Sequence, residues 1–157
     1  MNSYPRDRHR FDRRTFLAGV GGVAGSGLAA TRVMAADWTP AERANVKVVN
    51  DFCAAWETHD PAKITAFFTD DCTYRPIETA VPAKGRDAVT ALIKTFVANV
   101  QRFEILETFA RGPMVVNERI DRFTGGPLRS WRGVGVFFLK DGKIVEWNDY
   151  TISLERA

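Results

Sequence analysis

Histidine and cysteine are scarce, two of each in 157 residues, and their placement removes several kinds of chemistry. Cys53 and Cys72 have neither a CxxC spacing nor histidine companions, so no metal-ligand pattern is present and no metal is expected. They read as two buried thiols, with a disulfide as the alternative in an oxidising compartment. His9 falls in the N-terminal segment and His59 at an expected helix end, and neither supports a catalytic role. After residue 36 there is no internal repeat and no low-complexity stretch. An excess of basic charge is missing where it would matter. Of the 22 lysines and arginines six precede Ala36, together with two of the 19 acidic residues, which leaves 16 basic against 17 acidic in the remainder. The basic pI therefore belongs to the N-terminus, and the rest of the chain has no electrostatic case for binding nucleic acid.

A membrane-spanning run is also lacking. Residues 16–30 are apolar, but they are 15 residues with five glycines. A span needs ~20 apolar residues, and glycine weakens a helix, so no stable membrane anchor is expected. Arg13-Arg14-Thr15-Phe16-Leu17 precedes this stretch, and Val33-Met34-Ala35 offers a small-residue cleavage site after it. Together they read as a twin-arginine signal peptide over residues 1–35, although Asp12 stands where such signals usually carry a small polar residue. Residues 36–157 are then one domain, folded before export and working in the periplasm or outside the cell.

That domain opens with Thr39-Pro40-Ala41-Glu42, a capping box with proline at the first helical position. Val49, Phe52, Cys53 and Trp56 follow at spacings of three and four, which gives a helix one apolar face. Asp60-Pro61 starts a short second helix carrying Ile64, Phe67 and Phe68, and Asp70-Asp71 ends the pattern. Residues 72–75 read as a short strand, and Pro76 and Pro82 bracket a loop that ends at Gly85. Asp87 is placed to cap a third helix, with Val89, Leu92, Ile93, Phe96 and Val100 on its inner side. From Arg102 the period changes to two, with strands over 102–111, 114–123, 128–140 and 143–153. Asp141-Gly142 predicts a type I′ hairpin turn. Helices first and an antiparallel meander after them make an α+β fold, with helices covering one face of a curved sheet.

The strand alternation points one group of charges inward. Arg119 and Asp121 leave strand 114–123 by the face that carries Val115 and Phe123. In strand 143–153, Asp149 shares a face with Val145, Trp147 and Thr151. Trp131, Gly133, Gly135 and Phe137 share a face of the strand between them, and its glycines mark a bend or a close approach. An arginine between two carboxylates stays charged and biases both proton affinities, so one can be protonated while the other is ionised. Such a pair can deprotonate a water and protonate a leaving oxygen in one step, without metal or cofactor. A buried ion-pair network that only sets sheet register is the plainer alternative.

The segments Tyr74, Gly85-Arg86-Asp87-Ala88-Val89, Glu107-Thr108-Phe109, Glu118-Arg119-Ile120-Asp121, Gly135-Val136-Phe137 and Gly142-Lys143-Ile144-Val145-Glu146-Trp147-Asn148-Asp149-Tyr150 resemble limonene-1,2-epoxide hydrolases. The resemblance runs from about residue 44 to 154. It implies the cone-shaped fold of the nuclear-transport-factor-2-like, SnoaL-like superfamily, with a mixed, mostly antiparallel sheet, usually as a homodimer and with no cofactor. It also implies roles. Asp149 is the base that activates water, Asp121 the acid that protonates the epoxide oxygen, Arg119 the bridge between them, and Tyr74 the residue that positions the water. Cys53, Trp56, Phe96, Val100, Phe123 and Trp131 align with an apolar wall suited to a small lipophilic substrate.

One position departs from that family. Two residues after the tyrosine it has an asparagine as a further water ligand, and this chain has Pro76 in a loop about one residue longer. Proline offers no side-chain hydrogen bond; Asn117 and Glu78 are the candidate substitutes. Two alternatives to an epoxide hydrolase follow: an isomerase or cyclase of the same superfamily, and an exported module that binds an apolar ligand without turning it over.

Overall fold

The computed structural model describes residues 38–156. The twin-arginine motif, its cleavage site and His9 lie outside the described residues. Helix α1 (Pro40–Ala55) begins with the capping box, the Thr39 hydroxyl accepting from the Glu42 amide and the Glu42 carboxylate accepting from the Thr39 amide. A 3₁₀ turn follows over Trp56–Thr58, and α2 (Pro61–Thr65) is capped by Asp60. Strands β1 (Phe68–Arg75) and β2 (Ala83–Lys84), helix α3 (Arg86–Lys94), a 3₁₀ turn at Val97–Asn99, and strands β3 (Val100–Arg111), β4 (Met114–Phe123), β5 (Leu128–Lys140) and β6 (Lys143–Arg156) complete the chain. The strand order is β2-β1-β6-β5-β4-β3. Only β1 with β6 is a parallel pair, so the sheet is mixed and mostly antiparallel, as expected.

Several boundaries differ from those the sequence suggests. Phe68 starts β1 instead of ending α2, and Asp70 and Asp71 lie within that strand. The β1–β6 register shifts between Phe68 and Thr73, so this irregularity turns the two exposed aspartates to solvent while Phe68 and Cys72 stay buried. Helix α3 is capped by Gly85 at a positive φ of 82°, which glycine adopts freely, and Asp87 sits in the first turn instead. That helix ends at Lys94, so Val100 is buried as the first residue of β3 and not on a helix face. In β6 a register shift at Phe138/Leu139 puts Ile144 inside and leaves Val145 half-buried. The Asp141-Gly142 turn has both φ values positive, 51° and 73°, as a type I′ turn requires.

Register shifts in β3 and β5 bend the long strands around the helices. Phe52 of α1 sits at the centre of the enclosed core. It is fully buried and meets the rings of Trp56, Phe67, Phe68, Phe137 and Trp147 edge-on, at centroid distances of 4.9–6.2 Å. Cys53 and Cys72 are buried free thiols, and burial pushes the Cys53 thiol up to about 12. Truncating a central aromatic leaves a cavity beyond the lost transfer energy. We expect Phe52→Ala to reduce unfolding free energy in urea by about 3–5 kcal/mol. A loss below about 1 kcal/mol would contradict this placement of the core.

Candidate active site

Strands β4, β5 and β6 bring the inward-facing charges together. Arg119 is fully buried, and Asp121 and Asp149 nearly so. The Arg119 Nε donates to Asp121 Oδ1 at 2.8 Å, and Nη2 reaches Asp121 Oδ2 at 3.3 Å. The same Nη2 donates to both oxygens of Asp149 at 3.0 Å. Three rings surround the guanidinium, with Phe103, Trp131 and Trp147 at 4.8, 5.1 and 5.4 Å from its carbon. These faces give a desolvated cation some of the electrostatic support it loses with water.

Gly135 makes the approach of Arg119 and Asp149 feasible. It pairs with Asn117 on one side and Asp149 on the other. A Cβ there would lie 2.5 Å from Arg119 Nη1, 2.7 Å from Phe137 Cε2 and 3.1 Å from Asp149 Oδ1. The glycine pattern in β5 thus reflects close approach at this position, and any side chain would separate the members of the charged group.

The two carboxylates are not equivalent. Asp149 accepts both Arg119 contacts and a 2.8 Å bond from Trp147 Nε1, and the Tyr74 hydroxyl also favours its anion. Among the described residues Asp121 has only Arg119 as a donor. Burial raises both above the ordinary 3.8, against the pull of Arg119, and takes Asp121 to about 7, with the Asp149 charge adding to the rise. Burial opposes the Arg119 charge, but the two aspartates outweigh it and hold its proton more firmly than usual. Burial, followed by the Asp149 charge, pushes the Tyr74 phenol well above its ordinary value. One proton on Asp121 leaves a cation and one anion, so the buried group is neutral. Its stabilising contribution is complete below about pH 4 and lost as pH rises through 7, because the folded chain keeps a proton that the unfolded chain releases.

Asp121 and Asp149 reach a cavity of about 200 Å³ that is also lined by Tyr74, Pro76, Ile77, Phe96, Phe123, Leu128 and Trp131. Tyr74 stacks on Trp147 with centroids 3.8 Å apart and planes within 10°. Of the wall residues expected from the sequence, Phe96, Phe123 and Trp131 line this cavity, whereas Cys53, Trp56 and Val100 are buried outside its lining. Trp56 supports the wall from behind, stacked on Phe96 at 5.5 Å and tilted against Phe103 at 4.8 Å.

Neither candidate substitute for the missing asparagine lines the cavity. Glu78 is exposed, and its carboxylate accepts from the Thr151 amide at 3.2 Å, which ties the loop to β6. Asn117 is fully buried on β4 and donates from Nδ2 to the Thr108 hydroxyl at 2.9 Å. Four residues acquire a place that sequence reasoning did not assign. Trp147 and Phe103 were detectable by alternation, the first two residues before Asp149 and the second paired with Asp121 across β3–β4. Ile77 lies in a loop and Leu128 directly follows a turn, where no periodicity marks them. Among the described residues no group of three or more His, Cys, Asp or Glu side chains is arranged to hold a metal ion.

Residues 49–147 match the SnoaL-like domain. Among solved structures, an LEH-like epoxide hydrolase from M. tuberculosis is 28% identical, with a TM-score of 0.63 over 71% of this chain and 85% of that one. An NTF2-like protein of unknown function from Mesorhizobium loti is 22% identical, with a TM-score of 0.62 over 74% of this chain and 97% of the other. A de novo designed protein with a curved β-sheet is 18% identical, with a TM-score of 0.59 over 69% and 85% of the two chains. The last two share the fold and carry no argument about activity. A match over most of the domain, on a cone of three helices and a curved six-stranded sheet, shows that the chain belongs to the SnoaL-like domain family.

Proposed function

We propose that this domain is a cofactor-independent, epoxide hydrolase-like enzyme that adds water to a small apolar epoxide in one step. The observation that carries this reading is the single buried Arg119 bonded to two unlike carboxylates that both reach an apolar cavity. Asp149, held as the anion by Arg119 and Trp147, takes a proton from water. The resulting hydroxyl attacks an epoxide carbon while that carbon's bond to oxygen breaks. Protonated Asp121 gives its proton to the leaving oxygen, and a diol results. One proton then passes from Asp149 to Asp121, directly or through solvent, and restores the starting state. Arg119 remains charged throughout and compensates whichever carboxylate is ionised. Tyr74 helps to orient the water. The likeness to an LEH-like epoxide hydrolase supports the chemistry.

A second reading, an exported module that binds an apolar ligand without turnover, is favoured by Pro76. It lines the cavity but brings no side-chain donor or acceptor, and the attacking water has one holder fewer. Loss of one such hydrogen bond is worth about 1–3 kcal/mol, enough to slow the reaction strongly.

Turnover of a panel of epoxides in ¹⁸O-labelled water separates the two. The hydrolase reading expects label in the diol and loss of product in Asp149→Asn, whereas ligand binding without product at any pH supports the module. Turnover should follow a bell-shaped pH profile. It falls as pH rises through about 7, where Asp121 loses its proton, and falls on acidification as Asp149, also raised, gains one.

We also propose export by the twin-arginine route and assembly as a homodimer through the helix-free face of the sheet, where Phe109 and Tyr150 are exposed. Fractionation and sedimentation test both. A two-chain species is expected in the periplasmic or secreted fraction, and Arg13→Lys with Arg14→Lys should retain the chain in the cytoplasm. Export unaffected by that double substitution, or a single-chain mass, contradicts the respective claim.

A further inference from the structure

Arg119 uses Nε and Nη2 for the carboxylates, which leaves Nη1 without a partner among the described residues. A fully buried guanidinium N–H without an acceptor is costly. Two residues earlier on the same face, Asn117 is also fully buried, and its Oδ1 has no partner either. The two groups occupy the same level of the sheet. Arg119 is registered opposite Gly133, yet its Nη1 lies against Gly135, which is the cross-strand partner of Asn117. The arginine side chain therefore leans along β4 toward Asn117. Thr108, paired with Asn117 across β3–β4, accepts from Asn117 Nδ2 and so directs the amide oxygen away from itself. The flipped amide would present an NH₂ group toward a guanidinium, donor against donor, so the cation selects the same orientation.

We propose that Asn117, oriented by Thr108, is a positioning residue for the acid–base group. It holds the free Nη1 edge of Arg119 through one bound water between that edge and its own amide oxygen. A buried water needs at least two polar partners, and the unpaired Nη1 hydrogens and Asn117 Oδ1 supply them. The link fixes the guanidinium plane from behind, and through it the separation of Asp121 and Asp149. Asn117 lies outside the cavity lining, so it acts on the geometry of the site and not on substrate contact. The catalytic part of this inference rests on the hydrolase reading, whereas the link itself does not.

The guanidinium ¹H–¹⁵N resonances of Arg119 in arginine-labelled protein test the link without any substrate. In the native protein the Nη1 hydrogens should give resolved signals, restrained in rotation and slow to exchange. Asn117→Leu keeps the branched shape and loses the acceptor, so these signals should broaden or vanish. Asn117→Asp keeps an acceptor and should retain them. Thr108→Val, the mildest change, should weaken them. A packing role predicts the opposite order, with Leu tolerated and Asp disruptive. That order, or Nη1 signals unchanged in Asn117→Leu, overturns the proposal. If epoxide turnover is found, Asn117→Leu should lower kcat about tenfold or more with KM little changed, as for an interaction that acts on the transition state. Absence of turnover in every form would count against the hydrolase reading and leave the resonance result to decide the link.

Discussion

The burial of one permanent cation between two carboxylates is the constraint on which the site depends. Arg119 has lost all contact with solvent, and its removal would strand two acidic groups in an apolar interior. The fold accommodates it with paired hydrogen bonds, three aromatic faces and a glycine at the point of closest approach. Together these groups come from β3, β4, β5 and β6, so the charged group also ties those four strands to one register. Stability and chemistry draw on the same contacts.

The unequal donor sets make the two carboxylates of this ion-pair group unlike, as the proposed acid and base require. Trp147 serves twice, donating to Asp149 and stacking on Tyr74, so one indole fixes both side chains. Phe52 packs edge-on against that indole from α1. Trp56 meets the same indole at 6.1 Å, so the helical layer is coupled to Asp149 through Trp147, and packing changes in α1 reach Asp149 without touching it.

Much of this arrangement was legible in the chain. Period-two alternation placed Arg119, Asp121, Asp149, Trp131 and Gly135 on inward faces, because a half-buried sheet imposes that period wherever pairing is regular. It failed where pairing is irregular. A bulge in β1 carried Asp70 and Asp71 into a strand, and another in β6 exchanged Ile144 for Val145 on the inner face. Helix ends were less legible, since Gly85 caps α3 through backbone conformation and offers no side-chain signal. The expected wall residues separated by distance from the cavity, a tertiary property: Phe96 and Phe123 line it, while Trp56 and Cys53 pack behind. Asn117 shares the Arg119 face, but strand geometry alone does not distinguish the cavity side from the side of Gly135.

The central claim is that Asp121 and Asp149, though held by one arginine, ionise separately, with Asp149 the first to lose its proton. Carboxyl ¹³C shifts of the two aspartates followed across pH measure this directly. The account predicts two separate transitions, with Asp121 the later to ionise at about pH 7 and Asp149 already ionised there. Both groups ionised throughout the acidic range, or Asp149 retaining its proton after Asp121 has lost it, would contradict the account.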